Sequence, residues 1–341
     1  MPNSNKGAMV ALAIAMPASV WLLYLWFLHN NRGAADRKRL DQGNHECEVL
    51  SNSMYEAMES VRRWEGCRKN PGHCNFIPIT EFSITDLPES YQIPEVFDLI
   101  KNVSARTVRI RVNYTSPARP EDYVFSDSRG KYIPHVGSGW IRDLEKRYGP
   151  CRCPECDGQA TPFKQWWLVR VYTCSHVVFD TKEAQSTMVD VFYESEASRK
   201  NGEMMTMPGF KVTYRDEDHD SCKFYCITHD EELIKKLTVY TSKWEKIPKA
   251  LMAMESLCVV VSHPHGRSKL VTVGELKDWK DEVFGVSQIY STATCGGSSG
   301  APVIIPRRRG DGSGWVPTMF PHSQALVNGL NMSAVGAARS Y

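Results

Sequence analysis

The sequence predicts an all-β protein of two folding units, set behind an amino-terminal membrane anchor and a short helical extension. Three observations lead there. Short runs that alternate apolar and polar residues, parted by turn residues, recur from about residue 107 onward. The chain has 341 residues, enough for about two domains. Residues 8–28 form one apolar run broken only by Pro17 and Ser19, and about 20 such residues cross a bilayer.

Composition narrows the function. Hydrophobic residues make up 42% and charged residues 23%, which supports an ordinary globular core. The net charge of +2 gives no reason to expect a nucleic-acid partner. Arg307, Arg308 and Arg309 sit between Pro306 and Gly310 and read as a solvated loop. Eleven cysteines are too few for a disulfide scaffold, and their odd number leaves at least one thiol unpaired.

Residues 1–7 are a short tail. The run at 8–28 carries Trp21, Tyr24 and Trp26 toward one end, as interfacial aromatics do. It ends in Trp26, Phe27, Leu28 and His29, a poor cleavage site for a signal peptide. An uncleaved single-pass anchor is therefore expected. Arg32, Arg37, Lys38 and Arg39 follow it, against Lys6 before it, a bias that keeps the following domain in the cytosol. Sequons at Asn102, Asn113 and Asn331 argue mildly the other way. A basic linker over 29–46 leads into a helical extension over 47–105. There Leu50, Met54, Met58, Val61 and Trp64 recur at helical spacing, which predicts one amphipathic helix with these side chains facing the core. A second helix is expected over 94–101.

From Thr107 the period changes. Val108, Ile110 and Val112 alternate with Arg109, Arg111 and Asn113, the pattern of a half-buried strand. Further strands are expected at 136–141, 166–172, 188–193, 211–214, 223–227, 258–262, 269–273 and 303–305, with short helices at 230–237 and 276–283. Many short strands between turn signals indicate a barrel or a sandwich.

The chemistry gathers in three segments. Thr294-Cys-Gly-Gly-Ser-Ser-Gly-Ala-Pro302 is a glycine-serine turn. A serine nucleophile needs a tight turn to expose its hydroxyl and nearby backbone N–H groups for a developing oxyanion. Gly297 and Gly300 permit the close approach and the unusual angles. Val171-Tyr-Thr-Cys-Ser-His-Val-Val178 sets His176 just after an expected strand. Asp216, Glu217, Asp218 and Asp220 crowd before the strand at 223–227.

Gly297-Ser-Ser-Gly-Ala-Pro302 resembles the Gly-x-Ser-Gly-x-Pro segment of trypsin-like serine proteases, and Thr173-Cys-Ser-His176 resembles the segment that carries their general base. The resemblance implies two packed six-stranded antiparallel β-barrels of the chymotrypsin-like kind over residues 106–341, the first at about 106–228 and the second at about 240–341. It implies a serine endopeptidase acting on a protein or peptide substrate, with no cofactor. Ser299 would be the nucleophile, His176 the base, and the Gly297 and Ser299 amides the oxyanion hole. Asp220, nearest to its strand, is preferred over Asp218 as the carboxylate. The chain order His176, Asp220, Ser299 agrees. Gly137-Ser-Gly-Trp140 and Val259-Val-Val-Ser-His-Pro-His-Gly266 are similar to segments of Deg-type members.

Departures from the secreted members are informative. Ser298 stands where zymogens keep the aspartate of their activation switch, so that switch is expected to be absent. The usual disulfides cannot form, which suits a reducing compartment. Ala293 occupies the specificity position and implies an apolar pocket. Cys151, Cys153 and Cys156 have a spacing that suits zinc, with Cys47, His73 or Cys74 as a fourth ligand. His263 and His265 flank Pro264 without an acidic neighbour in sequence and read as structural. An inactive binding protein on the same fold and a membrane-anchored scaffold are the alternative functions.

Overall fold

The computed structural model describes residues 44–50, 56–241, 256–282, 285–308 and 315–337. The apolar run at 8–28 lies outside them. Among the described residues no helix is long and apolar enough to cross a membrane.

Two sheets make up the molecule. The first joins β4 (Thr107–Val112), β5 (His135–Tyr148), β6 (Gln165–Thr173), β7 (Thr187–Val191), β8 (Met205–Asp216) and β9 (Ser221–Thr228). It runs in the order β5-β4-β7-β8-β9-β6 and closes through β5–β6 pairing, giving a six-stranded barrel with no free edge among these strands. Val108, Ile110, Val112, Val169, Val171, Val189 and Phe224 fill it. Their alternation is what the sequence pattern requires of strands with one buried face.

The second sheet contains β10 (Leu257–Ser262), β11 (Leu270–Glu282), β12 (Gly285–Tyr290), β13 (Pro302–Arg308), β14 (Trp315–Ala325) and β15 (Asn331–Ser333). Pairing of β11 with β12 closes this ring too. The segment 276–283, expected to be helical, lies instead largely within β11. Its charged residues are compatible with helix, but β12 supplies backbone partners from Leu276↔Tyr290 to Glu282↔Gly285, and tertiary pairing overrides local preference.

The extension is woven into both barrels. Helix α1 (Glu56–Glu65) buries Glu56 and Ser60, while Met58 and Val61 are 66% and 42% exposed. The expected apolar face is thus wrong for these two residues. The cause is electrostatic. Arg109 is buried and donates to Asp190 Oδ2 at 2.8 Å and to Glu56 Oε1 at 2.6 Å, and a buried guanidinium needs such partners. Helix α2 (Pro94–Arg106) starts on Pro94, outruns the expected 94–101, and packs Val96, Leu99, Ile100 and Val103 on Val259, Val261, Val271 and Ile304 of the second barrel. Each such side chain contributes about 1.5–3 kcal/mol on burial. The short strand β3 (Ile77–Pro78) adds to β11.

Residues 44–50 cross between the barrels. β1 (Asn44–His45) pairs antiparallel with β14, Asn44↔Ala325 and His45↔Gln324. Two residues later β2 (Glu48–Val49) pairs antiparallel with β5, Glu48↔Val136 and Val49↔His135. Residues 44–46, the end of the basic linker expected over 29–46, belong to this strap.

Candidate active site

The two barrels meet where three loops converge. His176 follows β6 in a tight turn in which Val177 N–H donates to the Cys174 carbonyl at 3.1 Å. Buried Arg119 holds that turn. It donates to the His176 carbonyl at 3.0 Å and, through two nitrogens, to Glu183 at 2.6 and 2.7 Å. Asp220 closes the β8–β9 turn with φ of +49°, an angle that costs a non-glycine residue about 1–3 kcal/mol. Ser299 sits in the loop before β13. There Gly300, at φ +84°, has no room for a Cβ, which would lie 2.1 Å from Thr173 Oγ1 and 2.2 Å from the Ser138 carbonyl.

The structure brings His176, Asp220 and Ser299 together. His176 Nε2 lies 2.7 Å from Ser299 Oγ, and Nδ1 lies 2.8 Å from Asp220 Oδ2. Asp220 also accepts from Ser175 Oγ at 2.9 Å, from the His176 amide at 3.1 Å and from Ser323 Oγ at 2.6 Å. Burial works against both charges, but each steadies the other. The Asp220 carboxyl is held well below the usual carboxylate range, chiefly by His176, and the imidazole is pushed up, chiefly by Asp220 and then by Cys47. Asp218 is not in this set. Ser175 and Ser323 were missed in the sequence; Ser175 adjoins the histidine, but Ser323 carries no local signal.

The two loop amides expected to hold an oxyanion are occupied by the chain itself. Gly297 and Ser299 amides donate to the Glu46 carbonyl at 2.6 and 3.1 Å, and the Glu46 amide donates to Ser299 Oγ at 3.0 Å. Gly297 is at φ +92°. Ser138, from the Gly137-Ser-Gly139 segment of the first barrel, fixes its carbonyl at 2.8 Å. Ser298, where an activation aspartate would stand, accepts from the Cys295 amide at 3.2 Å within the loop. His45 lies against His176 with ring centroids 4.2 Å apart.

The Glu46 side chain enters a polar pocket. Its carboxylate meets His322 Nε2 at 2.6 Å and Lys69 Nζ at 2.5 Å. Tyr290 O–H lies 2.6 Å from His322 Nδ1. Burial keeps that phenol protonated, so it donates to Nδ1 and leaves Nε2 to carry the proton toward Glu46. Lys69 is itself anchored on Thr294 Oγ1 at 2.9 Å and Asn331 Oδ1 at 2.8 Å. Burial raises the Glu46 carboxyl, yet His322 and then Lys69 outweigh it and hold the group at about 2. Ala293, expected to line an apolar pocket, packs instead with Phe76, Leu270 and Cys295. The pocket is drawn from residues 69, 290, 322 and 331, whose union no local motif announces.

Two further side-chain clusters have metal-ligand chemistry. Cys151, Cys153 and Cys156 surround His229 Nδ1 at 3.9, 3.4 and 3.8 Å. The fourth member is thus His229 rather than Cys47, His73 or Cys74. In the other cluster, Cys67 Sγ lies 3.5 Å from Cys295 Sγ, Cys295 Sγ 3.5 Å from His73 Nε2, and His73 Nε2 3.3 Å from His265 Nε2. His265 does have an acidic neighbour in space: its Nδ1 meets Glu48 Oε2 at 2.7 Å.

No family model matches the chain, and no curated protein does. Several solved structures are similar to it. They include the HtrA-type protease AlgW with a tripeptide, at TM-score 0.37 and 11% identity over 70% of this chain and 59% of that one. An AlgW variant with a decapeptide gives 0.36 and 10% over 71% and 63%. The active form of the Rv3671c protease from M. tuberculosis gives 0.34 and 12% over 72% and 82%. The chain thus spans about 60% of the length of the two AlgW chains.

Proposed function

We propose that this chain is a serine endopeptidase that uses His176, Asp220 and Ser299. One observation carries the reading: a peptide carbonyl, that of Glu46, accepts from the two amides of the nucleophile loop while Ser299 Oγ lies 2.7 Å from His176 Nε2. A carbonyl so polarised is open to attack. Ser299 Oγ adds to the carbonyl carbon as its proton passes to His176 Nε2, and Asp220 steadies the imidazolium. The Gly297 and Ser299 amides hold the negative oxygen. His176 then returns the proton to the leaving amine, and water repeats the sequence on the acyl-enzyme. No cofactor takes part. Tethering to a membrane through residues 8–28, with the catalytic unit in the cytosol, belongs to the same reading and rests on the sequence alone.

The test is turnover of casein and of a peptide library by the full chain, with labelling of Ser299 by a fluorophosphonate. Activity that Ser299→Ala and His176→Ala abolish is the expected result. An inactive binding protein on this fold would show neither turnover nor labelling.

A further inference from the structure

We infer that the strap is a substrate: the Glu46–Cys47 bond is cleaved by the chain's own Ser299, and the pocket around Glu46 selects glutamate before the scissile bond. This rests on the peptidase reading and adds to it the bond and the specificity.

The backbone follows a substrate path on both sides of that bond. Upstream, His45 is registered on Gln324 of the second barrel; downstream, Glu48 is registered on Val136 of the first. Between them the Glu46 carbonyl occupies both oxyanion donors, and the Glu46 amide lies 3.0 Å from Ser299 Oγ. An inhibitory segment need only cover the nucleophile. This one sets a carbonyl into the oxyanion hole and runs as a strand away from it in both directions. The pocket chemistry agrees. Lys69 supplies a positive charge and His322 an N–H, each on a different oxygen of one carboxylate. An amide at that place would turn its NH₂ toward one of these donors and leave a buried pair of donors facing each other. An aliphatic side chain would leave the His322 N–H without an acceptor and the Lys69 charge without its counter-ion.

Written as a step, Ser299 Oγ bonds to the Glu46 carbonyl carbon and its proton goes to His176. The C–N bond to Cys47 breaks, and His176 protonates the new amino group of Cys47. Water then frees the Glu46 carboxylate and restores Ser299.

The experiment compares the full wild-type chain with Ser299→Ala, Glu46→Gln and Lys69→Met by intact mass and amino-terminal sequencing. It adds peptides spanning residues 42–50 with Glu, Gln or Leu at the Glu46 position. We expect a fragment beginning at Cys47 in the wild type, none in Ser299→Ala, and processing slowed at least about 100-fold in Glu46→Gln. The Glu peptide should turn over fastest, with its lead over Gln reduced by Lys69→Met. A chain that labels at Ser299 and cuts casein while Glu46–Cys47 stays whole, or that prefers the Leu peptide, overturns the inference and leaves the peptidase reading standing. Absence of both turnover and labelling sinks that reading itself, and self-cleavage with it.

A separate observation supports a second inference: the geometry points to two zinc centres, one on Cys67, His73, His265 and Cys295, the other on Cys151, Cys153, Cys156 and His229. Tetrahedral zinc sets ligand atoms about 3.4 Å apart for two nitrogens, about 3.6 Å for nitrogen and sulfur, and about 3.8 Å for two sulfurs. The measured separations of 3.3–3.9 Å fit both sites. In the first, His73 and His265 both have positive φ, at 50° and 54°, conformations that need an outside reason to persist. Glu48 on His265 Nδ1 is the carboxylate that orients a ligating imidazole. Metal analysis of the purified full chain should find about two zinc ions. Cys67→Ser and His229→Ala should each lose about one, and the cobalt forms should show tetrahedral thiolate spectra. Zinc content unchanged in both variants, or a Cys67–Cys295 disulfide in the purified chain, overturns it.

Discussion

Asp220 orients His176 through Nδ1, so replacing it with Asn should keep the fold and impose the wrong imidazole tautomer. We expect kcat to drop about 10³- to 10⁴-fold with KM little changed. Glu46 gives a pH prediction. Its carboxyl lies at about 2 when docked against an ordinary value of 4.5. A group lowered in this way contributes docking stability that is complete above about 4.5 and is lost as pH falls toward about 2. In Ser299→Ala, hydrogen-exchange protection factors at residues 44–50, corrected for the intrinsic pH dependence of amide exchange, should therefore fall roughly 10- to 100-fold between about pH 6 and about pH 3. Glu46→Gln in the same background should show a much flatter profile. Residues such as His176 and Ser299 were legible in the sequence because their neighbours in the chain also serve them. The Glu46 pocket was not, because Lys69 and His322 meet across more than two hundred residues of sequence. Ala293 misled for the same reason: a position in a motif says nothing of what the rest of the fold brings to it.

Strands announce themselves when one face is dry. Val108, Ile110 and Val112 do so, and the structure returns Thr107–Val112. The part of β11 beyond Thr272 does not, since its side chains are half-buried or exposed and its reason to be a strand is its partner β12. β14 was missed because Pro317 and Pro321 break the pattern of a strand. Helix α2 carries the clearest energetic prediction at this scale. Ile100 is 1% exposed in the core between α2 and the second barrel, so Ile100→Ala should lower unfolding stability by about 2–5 kcal/mol in urea titration. In β5, Gly139→Ala should be at least as damaging. The added methyl would lie 2.6 Å from the Tyr172 carbonyl, which is main chain and cannot swing aside.

Across the whole molecule, the boundary read at residue 106 divides something that folds as one. β3 lies on β11, α2 covers one face of the second barrel, and Glu56 neutralises Arg109 in the first barrel. A chain beginning at 106 should therefore fail to fold, exposing Val259, Val271 and Ile304. One beginning at 47 should give the circular dichroism and cooperative melting of the intact protein. The buried sequon residue Asn331 shows the same integration. It is 1% exposed, and its amide is spent on Lys69 and the Thr292 carbonyl, so a sugar attached there is incompatible with this fold. The strap has a kinetic corollary. Being covalently joined to the cleft it occupies, it presents itself at an effective concentration of about the millimolar range, however dilute the protein. Processing should therefore be first order and indifferent to dilution. A peptide inhibitor would have to outcompete a resident at that concentration before the bond is cut, and would meet far weaker competition afterwards, so screening on the uncut chain would discard good ligands.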